Sequence, residues 1–100
     1  MAEKDEINPC ECCEIMAHLV RNLDEARKLI RENPARALFH ADFAREEMPK
    51  VESCLLVDLS DAKERLGRAR EIVDRREEAK KLIDLAWSSF FRRLRQCAER

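Results

Sequence analysis

The sequence is short of the residues that β-sheets and tight turns need. Its 100 residues include one glycine, Gly67, and contain neither tyrosine nor threonine. Because strands favour β-branched and aromatic side chains, and hairpins need turn residues with positive φ, this scarcity excludes an all-β or α/β domain. No apolar run approaches the roughly 20 residues of a transmembrane helix, and the charged first residues are unlike a signal peptide. We therefore expect a cytoplasmic protein with no membrane segment.

The residues that are abundant are those of charged, helical proteins. Charged residues make up 41% of the chain and hydrophobic residues 45%, with alanine, leucine, glutamate and arginine most frequent. The net charge of −1 is too small to demand a polyanionic partner. The length fits one all-α domain over residues 1–100, and we expect residues 1–8 to be a flexible N-terminus.

Apolar residues recur at helical spacing in four consecutive stretches, which predicts an antiparallel up-down bundle of four helices. Asn33-Pro34 ends the first helix, and the second is expected to kink at Pro49 but continue to about Leu59, because its apolar stripe keeps one phase. If the chain does not break near Ser60 or Asp74, three long helices result. The stripe residues are Cys12, Ile15, Met16, Leu19, Leu23, Ala26, Ile30, Ala37, Ala41, Ala44, Met48, Val51, Leu55, Leu59, Ala62, Leu66, Ala69, Val73, Ala79, Ile83, Ala86, Phe90, Leu94 and Cys97.

Five cysteines in a chain of this length are unusual, and we expect them to be free thiols. Cys12, Cys54 and Cys97 lie on or beside the stripes, which indicates buried small hydrophobes. Cys10 and Cys13 lie off the stripe in the first turn. In an up-down bundle the start of the first helix lies near the ends of the second and fourth. Cys54 and Cys97 could then join Cys10 and Cys13 in a zinc site or a redox site, although the spacing is not that of standard zinc motifs.

The sequence shows no set of residues typical of catalysis. His18 and His40 have no nucleophile and orienting acid at a fitting spacing, and there is no glycine-rich phosphate loop. The pair Ser88-Ser89 has no companion motif and is expected to face a helix surface. We therefore expect a protein that is not an enzyme.

Two groups of residues are candidate contacts with another protein. Trp87 and Phe91 flank the stripe of the last helix and would form an apolar patch if they are exposed. Ala37, Ala41 and Ala44 form a face of small residues that lets another helix approach closely. These five residues predict an interface, formed by a homo-oligomer such as a homodimer or with a different protein.

A basic group close to the C-terminus is a candidate nucleic-acid contact. Arg92, Arg93 and Arg95 could bind the phosphates of RNA, with Trp87 or Phe91 stacking on bases. Cations near a helix C-terminus also complement the helix dipole, so a structural role is the alternative.

The second-helix stretch Phe39-His-Ala-Asp-Phe-Ala-Arg-Glu-Glu-Met-Pro-Lys50 resembles that of HEPN-type helical domains. These domains commonly show the pattern that His40, Ala41, Ala44, Glu46 and Lys50 match here, and the resemblance covers about residues 25–50. Such domains are small helical bundles, often dimeric. Some are RNases of toxin systems, and others are inactive partners of nucleotidyltransferases.

The catalytic members of that group carry an arginine, four to six residues, and then a histidine. Here three residues separate Arg36 from His40. The resemblance therefore implies an inactive, RNA-associated or toxin-system partner protein.

Three functional hypotheses follow from the sequence. The first is a non-enzymatic helical module for protein interaction or oligomerisation. The second is a small cysteine-based metal-binding or redox protein, and the third is the inactive HEPN-like protein.

Overall fold

The protein folds into four α-helices. A computed structural model describes the backbone of residues 9–98 and the side chains of residues 11–97. The helices are α1 (Pro9–Leu29), α2 (Pro34–Leu55), α3 (Ser60–Glu71) and α4 (Arg76–Ala98), with no strand in this range. The four-helix prediction is confirmed, and the three-helix alternative is wrong. The predicted flexible segment over residues 1–8 lies outside the described residues. None of the described helices is long and apolar enough to cross a membrane.

The first connection is short because Asn33-Pro34 ends one helix and begins the next. The Asn33 side chain accepts a hydrogen bond from the backbone N–H of Arg36 at 3.2 Å, which caps the start of α2. Pro34 occupies the first helical position, where a missing N–H is harmless. Along the hairpin, the ring of His40 lies 2.8 Å from the amide oxygen of Asn22. The helices α1 and α2 are therefore packed antiparallel.

The second helix passes through Pro49 without a break but ends four residues earlier than predicted. It stops at Leu55 because Leu56 adopts left-handed dihedrals, with φ 55° and ψ 47°. The expected continuation to Leu59 is thus wrong, and Leu59 is instead a buried residue of the connection. The Asp58 carboxylate accepts hydrogen bonds from the backbone N–H and the hydroxyl of Ser60, which supports the start of α3.

A tight turn separates the last two helices. Helix α3 ends at Glu71, and the backbone N–H of Arg75 donates to the carbonyl of Ile72 at 2.8 Å before α4 begins. The predicted break near Asp74 is confirmed. A continuous helix would carry charged side chains into the core, which is costly.

Charged contacts show the order of the helices around the bundle. Arg31, in the connection between α1 and α2, forms an ion pair with Glu77 of α4 at 2.6 Å. Arg27 of α1 forms an ion pair with Asp84 of α4 at 3.2 Å. Lys63 of α3 pairs with Glu52 of α2 at 2.7 Å. Helix α1 therefore lies between α2 and α4, and α3 lies between the same two helices on the other side. Helices α2 and α4 stand across the bundle from each other.

The core lies where the four apolar stripes meet. All the fully buried side chains were predicted from helical spacing, including Leu23, Met48 and Phe90. One polar residue departs from the prediction. Ser89 is buried, not on the surface, and its side chain interacts with the carboxylate of Asp61 at the start of α3.

Candidate interaction surface

The alanine face of α2 is not part of the surface. Ala37, Ala41 and Ala44 are 0–1% exposed and belong to the core. They let α2 pack closely against its neighbours within the same chain, so their assignment to an interface with another molecule is wrong. Their small side chains are explained by the fold alone.

The most exposed aromatic side chains of the described residues lie on the side of α2 opposite the alanine face. Phe39 is 63% exposed and Phe43 is 43% exposed, and their ring centroids are 6.2 Å apart. A spacing of four residues places both on one side of α2. We call the exposed side of α2 around Phe39 and Phe43 the α2 face. The α2 face was not predicted from the sequence, because the predicted contacts lay on the core stripe of α2 and on the last helix.

Charged residues of both signs border the α2 face. Arg36 lies one turn before the two phenylalanines, and Glu46 and Glu47 lie one turn after them. Arg36 and Glu46 are exposed, and neither forms an ion pair within the described residues. Glu47 is paired only with Lys50, at 3.6 Å. The α2 face therefore has an apolar centre, a cation at one end and two carboxylates at the other.

The predicted contact on α4 is less accessible. The rings of Trp87 and Phe91 contact each other at a tilt of 57°, with their centroids 4.7 Å apart, and the guanidinium of Arg27 lies 4.3 Å from the centroid of the Trp87 ring. This cation–π contact covers part of the indole with α1. Phe91 is 36% exposed, and Trp87 is half-buried against the core. The group remains a shallow apolar site beside Ser88 and Arg95.

Two arginines of the C-terminal group lie near carboxylates. Hydrogen bonds from Arg65 and then Ser89 hold the pKa of Asp61 below its usual range, and the charge of Arg92 adds to this. The pKa of Asp58 is lowered chiefly by its hydrogen bonds from Ser60, with Arg93 contributing.

The positive charges of Arg92 and Arg93 are thus partly offset within the chain. Arg95 is exposed beside Phe91. Nucleic-acid binding by Arg92, Arg93 and Arg95 stays a prediction.

The cysteines are not all free thiols. A disulfide joins Cys12 to Cys54, with their Cα atoms 6.1 Å apart, so the expectation of free thiols is wrong for both. Cys54 cannot serve as a thiolate ligand while it is in this bond. Cys13 is an exposed thiol and Cys97 a half-buried one, while the side chain of Cys10 lies outside the described residues.

No metal centre is formed by the described side chains. Among residues 11–97, no group of three or more histidine, cysteine, aspartate or glutamate side chains could hold a metal ion. The four-cysteine zinc site is not assembled in the disulfide-bonded structure, and a zinc site remains only a sequence-based hypothesis. What the sequence did predict correctly is the meeting of the start of the first helix with the ends of the second and fourth.

The histidines are explained by local contacts. His40 bonds to Asn22 and its ring packs edge-on against Phe39, with centroids 5.6 Å apart, while His18 is exposed. Neither histidine has a serine or cysteine nucleophile among its described hydrogen-bond partners.

Comparison with known proteins gives no relative from which a role could be transferred. No protein-family model matches the chain, and no curated protein or solved structure is significantly similar to it. The resemblance of residues 25–50 to HEPN-type domains therefore stays a prediction.

Proposed function

We propose that this protein is a helical interaction module that forms a homodimer through the α2 face. The observation that carries the proposal is the exposure of two adjacent phenylalanines, 63% for Phe39 and 43% for Phe43. Aromatic side chains are the residues most often found at the centre of protein interfaces, and grouped exposed apolar residues mark such sites. Neither ring is needed by the core, because α2 already buries a complete stripe on its other side.

The charges around the α2 face favour a second copy of the chain as the partner. In a two-fold symmetric contact, residue i of one copy meets residue j of the other, and j meets i. If two α2 helices pack antiparallel through this face and cross at the level of position 41, Phe39 meets Phe43. Arg36 then meets Glu46 and Glu47, because positions 36 and 46 are equally distant from 41. The charges of the face are therefore complementary to those of a second copy.

The direct test is the mass of the protein in solution. Size-exclusion chromatography with light scattering should give twice the 11.8 kDa monomer mass. Phe43→Glu should convert the protein to a monomer, because it places a carboxylate in the apolar centre. Loss of an aromatic side chain at an interface centre costs about 2 kcal/mol, or roughly a 30-fold rise in Kd. Leu85→Glu, at an exposed leucine of α4, is the matched control and should leave the mass unchanged.

A charge-exchange experiment tests the antiparallel arrangement. Arg36→Glu alone should weaken the dimer, and so should the pair Glu46→Arg and Glu47→Arg, because each places like charges opposite one another. Mixing the two variants should restore a dimer that contains one copy of each. The weakening in each variant alone distinguishes the two arrangements. In a parallel contact position 36 would meet itself, so the wild type would already place like charges opposite one another and neither variant would be weaker than the wild type.

Two results would overturn the proposal. A wild-type protein that is a monomer at all concentrations would exclude the homodimer. A dimer that is lost in Phe91→Glu but kept in Phe43→Glu would place the interface at the Trp87–Phe91 group on α4 instead. Circular dichroism of each variant shows whether the fold is retained.

A further inference from the structure

The cysteines of three helices converge at one end of the bundle. The Cys12–Cys54 disulfide joins the first turns of α1 to the end of α2. The thiol of Cys97, near the end of α4, donates a hydrogen bond to the carbonyl oxygen of Leu55 at 3.4 Å. Leu55 is the next residue after Cys54, so the free thiol contacts the backbone one residue from the disulfide. Neither the fold of α4 nor the proposed dimer requires a cysteine there.

The two sulfurs of the disulfide differ in access. Cys12 is buried, at 6% exposure, whereas Cys54 is half-buried. Cys97 is also half-buried and lines a cleft of about 340 Å³ together with Leu56, Asp58 and Arg93. Solvent and a proton acceptor can therefore reach the Cys97 thiol. Cys54 is the more exposed cysteine of the disulfide and therefore the target that we assign to an attacking thiolate.

We propose that Cys97 exchanges with the Cys12–Cys54 disulfide. The Cys97 thiol first gives its proton to solvent, and the thiolate attacks the sulfur of Cys54. A Cys54–Cys97 bond forms while the Cys12–Cys54 bond breaks, and Cys12 leaves as a thiolate that takes up a proton. One disulfide and one thiol are present before and after the step, so no oxidant or reductant is consumed.

Cys12 is the leaving group because it is bonded to the Cys54 sulfur that is attacked. It is the fourth residue of α1, which begins at Pro9, so its thiol is left free in the first turns of that helix. Before the exchange the disulfide joins α1 to α2, and after it the disulfide joins α2 to α4. The bundle end is then a site of thiol–disulfide exchange whose attacking thiol is one of the chain's own.

The experiment is disulfide mapping of the intact protein after incubation at about pH 8, where a substantial share of ordinary thiols is ionised. Free thiols are alkylated after acid quenching, and tryptic peptides are analysed by mass spectrometry. The wild-type protein should yield a cross-linked peptide containing Cys54 and Cys97 in addition to the one containing Cys12 and Cys54. The Cys97→Ser variant should lack the peptide that links Cys54 to Cys97 and keep the peptide that links Cys12 to Cys54. Cys13→Ser, at an exposed thiol that takes no part, should give the wild-type pattern.

A second variant keeps the proposal testable if the exchange equilibrium favours the original bond. Cys12→Ser, refolded with oxidised glutathione as the oxidant, should form the bond between Cys54 and Cys97. If neither the wild type nor Cys12→Ser yields this cross-linked peptide, the proposal is wrong. If Cys54 pairs instead with Cys13 in these samples, the exchange partner has been misassigned and the proposal fails equally. The mass of the dimer is measured separately and does not depend on this result.

Discussion

Leu56 is the one non-glycine residue among those described that has a positive φ, and it sets the length of α2. Its dihedrals of 55° and 47° are those of the left-handed region that glycine most often occupies at the end of a helix. A leucine there brings its Cβ too close to the following carbonyl oxygen, at a cost of roughly 1–2 kcal/mol. The side chain is 78% exposed, so little burial offsets this cost.

Replacing Leu56 with glycine should therefore stabilise the protein. The gain in the free energy of unfolding should be about 0.5–1 kcal/mol, since the relief of strain exceeds the extra backbone entropy of glycine. Urea unfolding followed by circular dichroism measures it. Leu85→Gly is the matched control, because Leu85 is an exposed leucine inside a helix and its loss should cost about 1 kcal/mol. A lower stability for Leu56→Gly would show that Leu56 makes a contact worth more than the strain.

For single residues, the sequence predicted the buried side chains more accurately than it predicted the exposed side chains available for contact with a partner. Helical spacing identified Leu23 and Phe90 because the core demands apolar residues at a fixed period. No such demand acts on the surface, so Phe39 and Phe43 were not distinguished from ordinary surface residues. Their spacing of four residues opposite the core stripe is the signal that identifies them. The buried Ser89 was missed because its partner Asp61 belongs to another helix.

At the scale of elements, Pro49 shows that packing outweighs an unfavourable residue. A proline inside a helix has no N–H to donate to the carbonyl of Arg45 and clashes with the preceding turn. Helix α2 nonetheless continues past it to Leu55. Met48 and Val51 on either side of the proline are fully buried, and this burial holds both halves of the helix in one phase.

Pro49→Ala should raise the stability of α2 and of the whole fold. We expect a gain of about 1–3 kcal/mol in the free energy of unfolding, because the missing hydrogen bond is restored and Pro49 itself is exposed. Thermal and urea unfolding provide the measurement. Lys50→Ala, at the next exposed position, serves as the control and should change stability by less than about 0.5 kcal/mol. No gain from Pro49→Ala would mean that the backbone conformation set by the proline is itself required by the packing.

The ends of the helices were predictable where a residue's own side chain fixes the local backbone conformation. Asn33-Pro34 combines a cap with a fixed φ, and α2 begins there as predicted. The end of α2 was placed at Leu59 because the apolar stripe continues in phase. It falls at Leu55 because the chain turns at Leu56, a residue with no preference for the left-handed region. A periodic pattern shows that residues face the core and leaves open whether they share one helix.

At the scale of the whole molecule, the Cys12–Cys54 disulfide closes the antiparallel hairpin of α1 and α2. The two cysteines are 42 residues apart in the sequence. In the chain-entropy account, a crosslink across a loop of this length restricts the unfolded chain and stabilises the fold by about 4 kcal/mol. The protein has 100 residues and a modest core, so this is a large share of its stability.

Reducing the disulfide should weaken the fold measurably. The double variant Cys12→Ser and Cys54→Ser should lose about 2–4 kcal/mol in the free energy of unfolding, and addition of a reductant to the wild type should have a similar effect. Cys13→Ser is the control, since its thiol is exposed and unpaired with another cysteine. Equal stability of the oxidised and reduced proteins would show that the unfolded chain is already compact enough for the crosslink to constrain little.

The arrangement of helices was predictable from short connections, because these force neighbours to run antiparallel. That reasoning brought the start of α1 close to the ends of α2 and α4, where the structure places Cys12, Cys54 and Cys97. The disulfide itself was not predicted. Its formation depends on a Cα separation of 6.1 Å between two helices, and sequence spacing does not specify such a distance.

The contact between Arg27 and Trp87 gives the molecule an intrinsic optical sensor. Trp87 is the single tryptophan of the chain, and the cation above its ring belongs to a different helix. Because the chain has no other tryptophan, its indole fluorescence comes from Trp87 alone. The emission therefore responds to the distance between α1 and α4. Fluorescence can follow the parting of these two helices in real time, in the unlabelled protein and at low concentration.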